Sequence, residues 1–350
     1  MPLNTIIARM DDPAVSEQQL QKAADLLRCG GLVVFPTETV YGLGGDATNA
    51  ASSRKIYEAK GRPSDNPLII HIAHPDEAER YAVTCPCYER LAKAFMPGPL
   101  TVILPRRDII PTETTGGLDT VAVRCPSHPV ARALIQAAGV AIAAPSANRS
   151  GRPSPTCAAH VIDDMMGRVD MILDGGECDI GLESTIVKIE DEDTVTLLRP
   201  GAITYDALCM VVANVHVAPA VSERLNENER PLSPGMKYRH YAPDAPLVLL
   251  DGKREDVLSF LQQEQQQKRC AILCYEEEIK ALQDAFLYPI GHADDLATHA
   301  KLLFRLLREA DRSQPDVIYA HLPPKEGLGL ALYNRMIRAA AHTIKQIPSI

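Results

Sequence analysis

Apolar residues along this chain of 350 residues fall into two rhythms. Short runs rich in β-branched residues, at 32–36, 68–72, 100–104, 120–124 and 140–144, alternate with stretches whose apolar positions recur every three or four residues. The stretch 16–29 illustrates the second rhythm. Leu20, Ala23, Ala24 and Leu27 share one helical face, Ser16 and Gln19 offer a capping box, and Gly30 stops the helix. The same reading predicts helices at 49–60, 76–83, 88–95, 128–138 and 156–166, strands at 171–176, 184–189 and 194–198, and a short helix near Ala207. Such alternation predicts an α/β domain built on a twisted mixed sheet with flanking helices.

The rhythm lapses between 214 and 246, where the chain is polar and rich in proline, as a linker is. It resumes at Leu247. Runs at 247–250, 270–275, 287–291 and 317–322 read as strands, separated by helices at 254–265, near Ile279 and at 293–310, with a closing helix at 328–345. Four strands alternating with helices predict a smaller Rossmann-like domain. The expected division is therefore a first domain over 16–202, an irregular linker over 203–246 and a second domain over 247–350.

Composition narrows the function classes. An apolar fraction of 46% with 23% charged residues is that of a globular protein, and a net charge of −9 argues against broad adhesion to nucleic acid or to an anionic membrane. No stretch approaches the length of an apolar membrane span and the N-terminus has no leader pattern, so a cytosolic protein with no membrane partner is expected. Nine cysteines without a CxxC pair read as reduced thiols, Cys85 and Cys87 being too close for ordinary bridging.

Candidate chemistry concentrates first in residues 36–72. There a Thr37-Glu38-Thr39 turn, a Gly-rich segment, a helix and the basic turn Lys60-Gly61-Arg62-Pro63 lie between two apolar strands. The GxGxxA pattern at 42–47 departs from a dinucleotide fingerprint because residues 37–41 separate it from the strand; it reads as a tight turn feeding the helix. No Walker A sequence is present. Gly-Arg-Pro-Ser occurs at 61–64 and again at 151–154, each copy after a basic residue, a pair of rigid loops suited to holding phosphate from two sides. Polar residues also sit at predicted strand ends: Arg124, Ser146, Asn148, Ser184 and Arg199. Strand ends are where open α/β sheets collect ligands. His71 and His74 lack metal-clip spacing, and no GxSxG elbow or activated cysteine appears, so covalent catalysis is not expected.

Through PTETVYGLG, KGRP, NPLIIHI, AVRCP, APSANRSG and ESTIV, residues 16–202 resemble the YrdC family, and the linker and second domain resemble its two-domain members, the threonylcarbamoyl-AMP synthases. The resemblance implies an enzyme that condenses L-threonine, bicarbonate or CO2, and ATP to L-threonylcarbamoyladenylate and pyrophosphate. It implies service to t6A modification of tRNAs reading ANN codons, through partner proteins that receive the adenylate. By the same resemblance threonine is expected at Thr39, His71, Arg124, Ala144 and Ser184. ATP is expected at Lys60, Arg62, Asn66, Thr120, Ser146, Asn148, Ser154 and Arg199, with Lys60 and Arg62 as the catalytic pair. The linker segment SPGMKYRHYAP is expected to fold over the site as a lid, bringing Ser233, His240 and Tyr241 to the nucleotide. Mg2+ is implied with ATP, through unnamed ligands, and no organic cofactor. Two other readings use a YrdC-like domain: a double-stranded RNA-binding module, weak and salt-dependent in so acidic a chain, and a carbamoyl transferase of the hydrogenase-maturation type. The latter proteins carry zinc-finger and acylphosphatase segments ahead of the domain, and none is read before residue 16.

Overall fold

The computed structural model describes residues 3–11, 16–223, 241–282 and 286–349. These fall into two compact units that divide between 223 and 241, with 151–153 grouped with the second.

The first unit runs β1 (Ile6–Arg9), α1 (Glu17–Arg28), β2 (Val33–Phe35), β3 (Gly42–Asp46), α2 (Ala50–Lys60), β4 (Ile69–His71), α3 (Ala78–Tyr81), α4 (Pro86–Phe95), β5 (Leu100–Pro105) and β6 (Thr120–Arg124). It continues with α5 (Pro129–Ala138), β7 (Ile142–Ala143), α6 (Ala158–Met165), β8 (Met171–Asp174), β9 (Thr185–Ile189), β10 (Thr194–Arg199), α7 (Tyr205–Cys209) and β11 (Asn214–Val217). Among the described residues its strands form one mixed sheet in the order β1-β8-β2-β3-β7-β4-β6-β5-β9-β10-β11. Strand alternation divides the core between the two faces: Val33 and Phe35 pack with α1 and α5, whereas Val34 packs with Leu43, Ile56 and Ile70.

Three elements depart from the sequence-based expectation. Residues 42–46 are strand β3, antiparallel to both β2 and β7, not a tight turn. Their glycines have a packing cause: a Cβ on Gly44 would lie 2.8 Å from Ile142 Cγ2 and 3.0 Å from the Val33 carbonyl oxygen. β1 has no counterpart in the sequence reading; it adds in parallel to β8 at the sheet edge, with a half-exposed pattern that carries little periodicity. The short helix expected near Ala207 is α7, which Thr204 caps by accepting from the Ala207 amide at 3.2 Å; the departure lies beyond it, within the expected linker of 203–246, where β11 adds to β10 in parallel. β11 is an edge strand without a buried residue, so no alternation of apolar positions marks it.

In the second unit β12 (Leu247–Asp251), α8 (Arg254–Glu264), β13 (Cys270–Cys274), β14 (Phe286–Pro289), α9 (Leu296–Arg312), β15 (Val317–His321), α10 (Gly327–Ala339) and β16 (Ile344–Gln346) succeed one another. The strands are all parallel, ordered β14-β13-β15-β12-β16. The segment near Ile279 is a 3-10 turn. The closing helix ends at Ala339 instead of 345: Ala341 and His342 take left-handed backbone angles (φ 48° and 64°), and the chain then pairs with β12 as an exposed fifth strand. All nine cysteines are free, and no helix among the described residues is long and apolar enough to cross a membrane.

Candidate active site

Sheet register assembles one row of polar residues. His71 on β4 lies beside Arg124 on parallel β6, and Arg124 lies beside Thr101 on antiparallel β5, so the three side chains share a face. Thr101 is registered with Ile186 of β9, and Ser184, two residues earlier, points the same way. Its hydroxyl meets that of Thr101 at 2.7 Å. Arg199, opposite Ile186 across the β10 bulge, donates to the Ser184 hydroxyl at 3.1 Å and its carbonyl at 3.0 Å. On the other flank Ile142 of β7 is registered with His71, which places Ala144 on this face too. Thr120 lies on it as well, four residues up β6 from Arg124 and away from the row. The apolar floor is Ile69, Ile103, Ala122, Ile186 and Leu198.

Beside this row the Thr37-Glu38-Thr39 turn is wholly buried. Thr37 and Thr39 join hydroxyls at 2.9 Å, and residues 180 and 181 donate backbone amides to the carbonyls of Glu38 and Thr39. Glu38, which the sequence reading did not select, accepts from Arg124 Nη2 at 2.8 Å and from the Ser127 amide at 3.1 Å. Both members of this ion pair are about one-twentieth exposed (5% and 6%), so it has little solvent to screen it. The one available sequence signal was a carboxylate in a Thr-flanked turn, and its partner lies 86 residues away.

His71 is held neutral. Burial, then the neighbouring Arg124 charge, push its pKa down to about 3. Its Nδ1 and the Nε of Arg124 are buried without hydrogen-bond partners, as is Asn66 Oδ1. A buried polar atom left unsatisfied costs free energy, and such atoms at adjacent strand ends mark where a polar ligand would be stabilised.

A second grouping surrounds the end of α2. Gly61 closes the helix in the left-handed conformation, and Lys60 sends its ammonium to the Ser146 carbonyl, to the Asn148 carbonyl at 2.6 Å and to the Asn148 side-chain oxygen at 3.3 Å. The Ser150 amide donates back to the Lys60 carbonyl at 2.9 Å. The turn after α2 is thereby tied to residues 146–150, 86 to 90 residues further along the chain. Arg62 braces the turn by donating to the carbonyls of Asn66 and Pro67, each at 3.2 Å. Ser146 donates to Asn148 at 2.6 Å, and Ser154 donates to Glu183, next to Ser184, so the 145–155 loop runs from one grouping to the other. Lys60, Arg62, Arg124 and Arg199 are all more than nine-tenths buried, unlike the exposed basic stripe of a nucleic-acid surface.

Tyr241 falls in the second unit, where its ring stacks on Phe304 at 5.2 Å and Arg335 lies over it at 5.7 Å. Ser233 and His240 lie outside the described residues, as does most of the expected lid. His74, structural by the sequence reading, is exposed and begins a 3-10 turn.

Comparison with known proteins supplies the lineage. The family model of Sua5, YciO and YrdC, described as telomere recombination, matches residues 25–201. The model described as threonylcarbamoyl-AMP synthase, C-terminal domain, matches 203–341. Threonylcarbamoyl-AMP synthase of Bacillus subtilis is 46% identical over 335 residues, covering 94% of this chain and 95% of its own. The protein of that name from Pyrococcus abyssi is 42% identical over 343 residues, covering 95% and 97%. Crystallised P. abyssi Sua5 in complex with L-threonine matches with a TM-score of 0.88 and 40% identity over 98% of this chain and 99% of that one. With family models on both units and relatives aligned over nearly its whole length, this chain belongs to the Sua5–YciO–YrdC family, in the two-domain form that carries the Sua5 C-terminal domain.

Proposed function

We propose that the protein is an L-threonylcarbamoyladenylate synthase, joining L-threonine, bicarbonate or CO2, and ATP with release of pyrophosphate. Its product would supply the threonylcarbamoyl group for N6-threonylcarbamoyladenosine in tRNAs reading ANN codons, by way of proteins that transfer it. The observation that carries the reading is the unsatisfied pair at adjacent strand ends, Arg124 Nε and His71 Nδ1. Together they offer a cationic donor for a carboxylate and a neutral acceptor for an amine or hydroxyl, the groups of an amino acid such as threonine. Thr39 and Ser184 add hydroxyls, and Ala144 leaves room beside them.

In the reaction the threonine nitrogen bonds to the carbon of CO2 and loses a proton, giving a carbamate. A carbamate oxygen then bonds to the α-phosphorus as the bond to the β-phosphate oxygen breaks. Such a displacement needs alignment and charge neutralisation more than a protein nucleophile. Arg62 and Arg199 suit the phosphates, Asn66, Thr120, Ser146, Asn148 and Ser154 suit the remaining nucleotide contacts, and Lys60 holds the 146–148 loop while adding its charge. Mg2+ would enter as part of the MgATP substrate. The site's carboxylates, Glu38 and Glu183, are engaged by Arg124, the Ser127 amide and Ser154, and no trio of His, Cys, Asp or Glu among the described residues is placed to cage a cation. Pyrophosphate release from ATP should require both threonine and bicarbonate; release indifferent to threonine would overturn the proposal.

A further inference from the structure

The Rossmann-like second unit holds a cavity of about 210 Å3 at the carboxyl ends of its central strands. Its position follows from topology. The chain leaves β13 toward the β14 edge of the sheet but leaves β15 toward the β16 edge. Adjacent parallel strands whose connections diverge in this way open a crevice between their carboxyl ends, the usual ligand position in open α/β sheets. Leu273, Ile290, Leu332 and Met336 give the cavity apolar walls, and Tyr275, His299 and His321 also line it.

Those three rings form a column. Tyr275 stacks on His321 with centroids 4.5 Å apart and on His299 at 5.5 Å, each within about 20° of parallel. Both histidines have their Nε2 atoms committed. That of His321 lies 3.0 Å from the carboxylate of Glu278, a residue 1% exposed that also accepts from Arg254 and from the Tyr275 amide. That of His299 lies 2.8 Å from the His292 carbonyl oxygen. The His292 carbonyl accepts only, so the neutral His299 imidazole carries its proton on Nε2 and keeps Nδ1 as an acceptor. Burial also holds His299 on the neutral side. The mouth is acidic, with Asp294 lining it and Glu276 and Glu277 paired with His292 nearby.

The acceptor nitrogen of His299, a ring column, apolar walls and an acidic mouth together select against phosphates and carboxylates. They favour a flat, uncharged ring that donates N–H groups, and the volume suits a base-sized ring better than a whole nucleotide, since sites for larger ligands run from about 300 Å3 upward. We propose that this cavity is a binding site for an uncharged aminoheterocycle, a nucleobase or nucleoside bearing an exocyclic amine, separate from the chemistry of the first unit. The site rests on no assumption about that chemistry.

The test is titration of the full chain, by calorimetry or by chemical-shift perturbation, with adenosine, cytidine, uridine and adenosine monophosphate, in saturating ATP so that the first unit's nucleotide site is filled. Saturable binding of adenosine or cytidine is expected, at least tenfold weaker for uridine and for the monophosphate. Ala293→Trp at the cavity wall should abolish it, and His299→Phe, which keeps the ring column, should weaken it at least tenfold; unchanged circular dichroism and pyrophosphate release would show both variants folded. No saturable binding of any amine-bearing nucleoside would overturn the assignment. So would binding that survives both substitutions, or a monophosphate that binds as well as adenosine.

Discussion

Replacing Glu38 by Gln tests the least visible part of the candidate site. The substitution keeps shape and one acceptor oxygen, but it removes the charge opposite Arg124 while leaving the guanidinium buried. At an effective dielectric of about 20, unit charges 2.8 Å apart attract by about 6 kcal/mol. Desolvation of the pair offsets part of this, and stripping one partner from a buried ion pair costs about 3–5 kcal/mol. At about 2–4 °C per kcal/mol, the midpoint of the first unit's melting should fall by roughly 10 °C. Arg124→Gln should cost a similar amount by leaving Glu38 unpaired, whereas the double variant buries no lone charge and should be less destabilised than the sum of the singles, by about 2 kcal/mol or more. Denaturant melts of the four proteins supply the cycle. A coupling energy below about 0.5 kcal/mol, the limit for independent sites, would refute the claim that the pair is desolvated and mutually dependent. In pyrophosphate-release kinetics, the Glu38→Gln variant, assayed at low temperature to keep it folded, should show a changed KM for threonine, because the guanidinium it leaves unopposed is the one assigned to the substrate carboxylate.

Further outcomes are equally specific. Lys60→Ala and Arg62→Ala should each lower the rate of pyrophosphate release by orders of magnitude in steady-state assays, while His74→Ala, at an exposed position, should leave it unchanged. Because burial holds the His71 pKa near about 3, against about 6.5 unfolded, its neutral form contributes stability that is complete above pH 6.5 and drains away as pH falls toward 3. Between pH 7 and 5 the native protein should therefore lose about 2 kcal/mol that His71→Gln does not lose, measurable by urea titration at both pH values. Gly44→Ala should destabilise the first unit by about 1–3 kcal/mol, as overpacking does, since its Cβ would press on Ile142, Phe35 and the Val33 carbonyl; a thermal melt checks it.

Much of the architecture is legible in the chain because the central strands are buried on both faces and read as apolar runs. The site row is legible for a related reason: Arg124, Ser184 and Arg199 are polar residues at the ends of such runs. What escapes has a common physical cause. β3 is made of Gly-Leu-Gly-Gly-Asp, whose strand character comes from its neighbours' need for close approach, not from propensity. β11 and β16 are edge strands without a buried residue, so only backbone pairing defines them. Glu38 sits in a turn whose partners come from β6 and the loop after it, and no local pattern announces a contact across such a separation.

The row of side chains from Ala144 to Arg199 has a consequence for how this site can vary. Its members lie on, or one residue beyond, six neighbouring strands, and neighbouring strands are held about 4.8 Å apart by backbone hydrogen bonds. The sheet is therefore a ruler, spanning on the order of 24 Å across its five intervals. Relatives that acquired a different amino acid or nucleotide preference would have to change the letters at fixed tick marks, because the distance between the marks belongs to the peptide backbone.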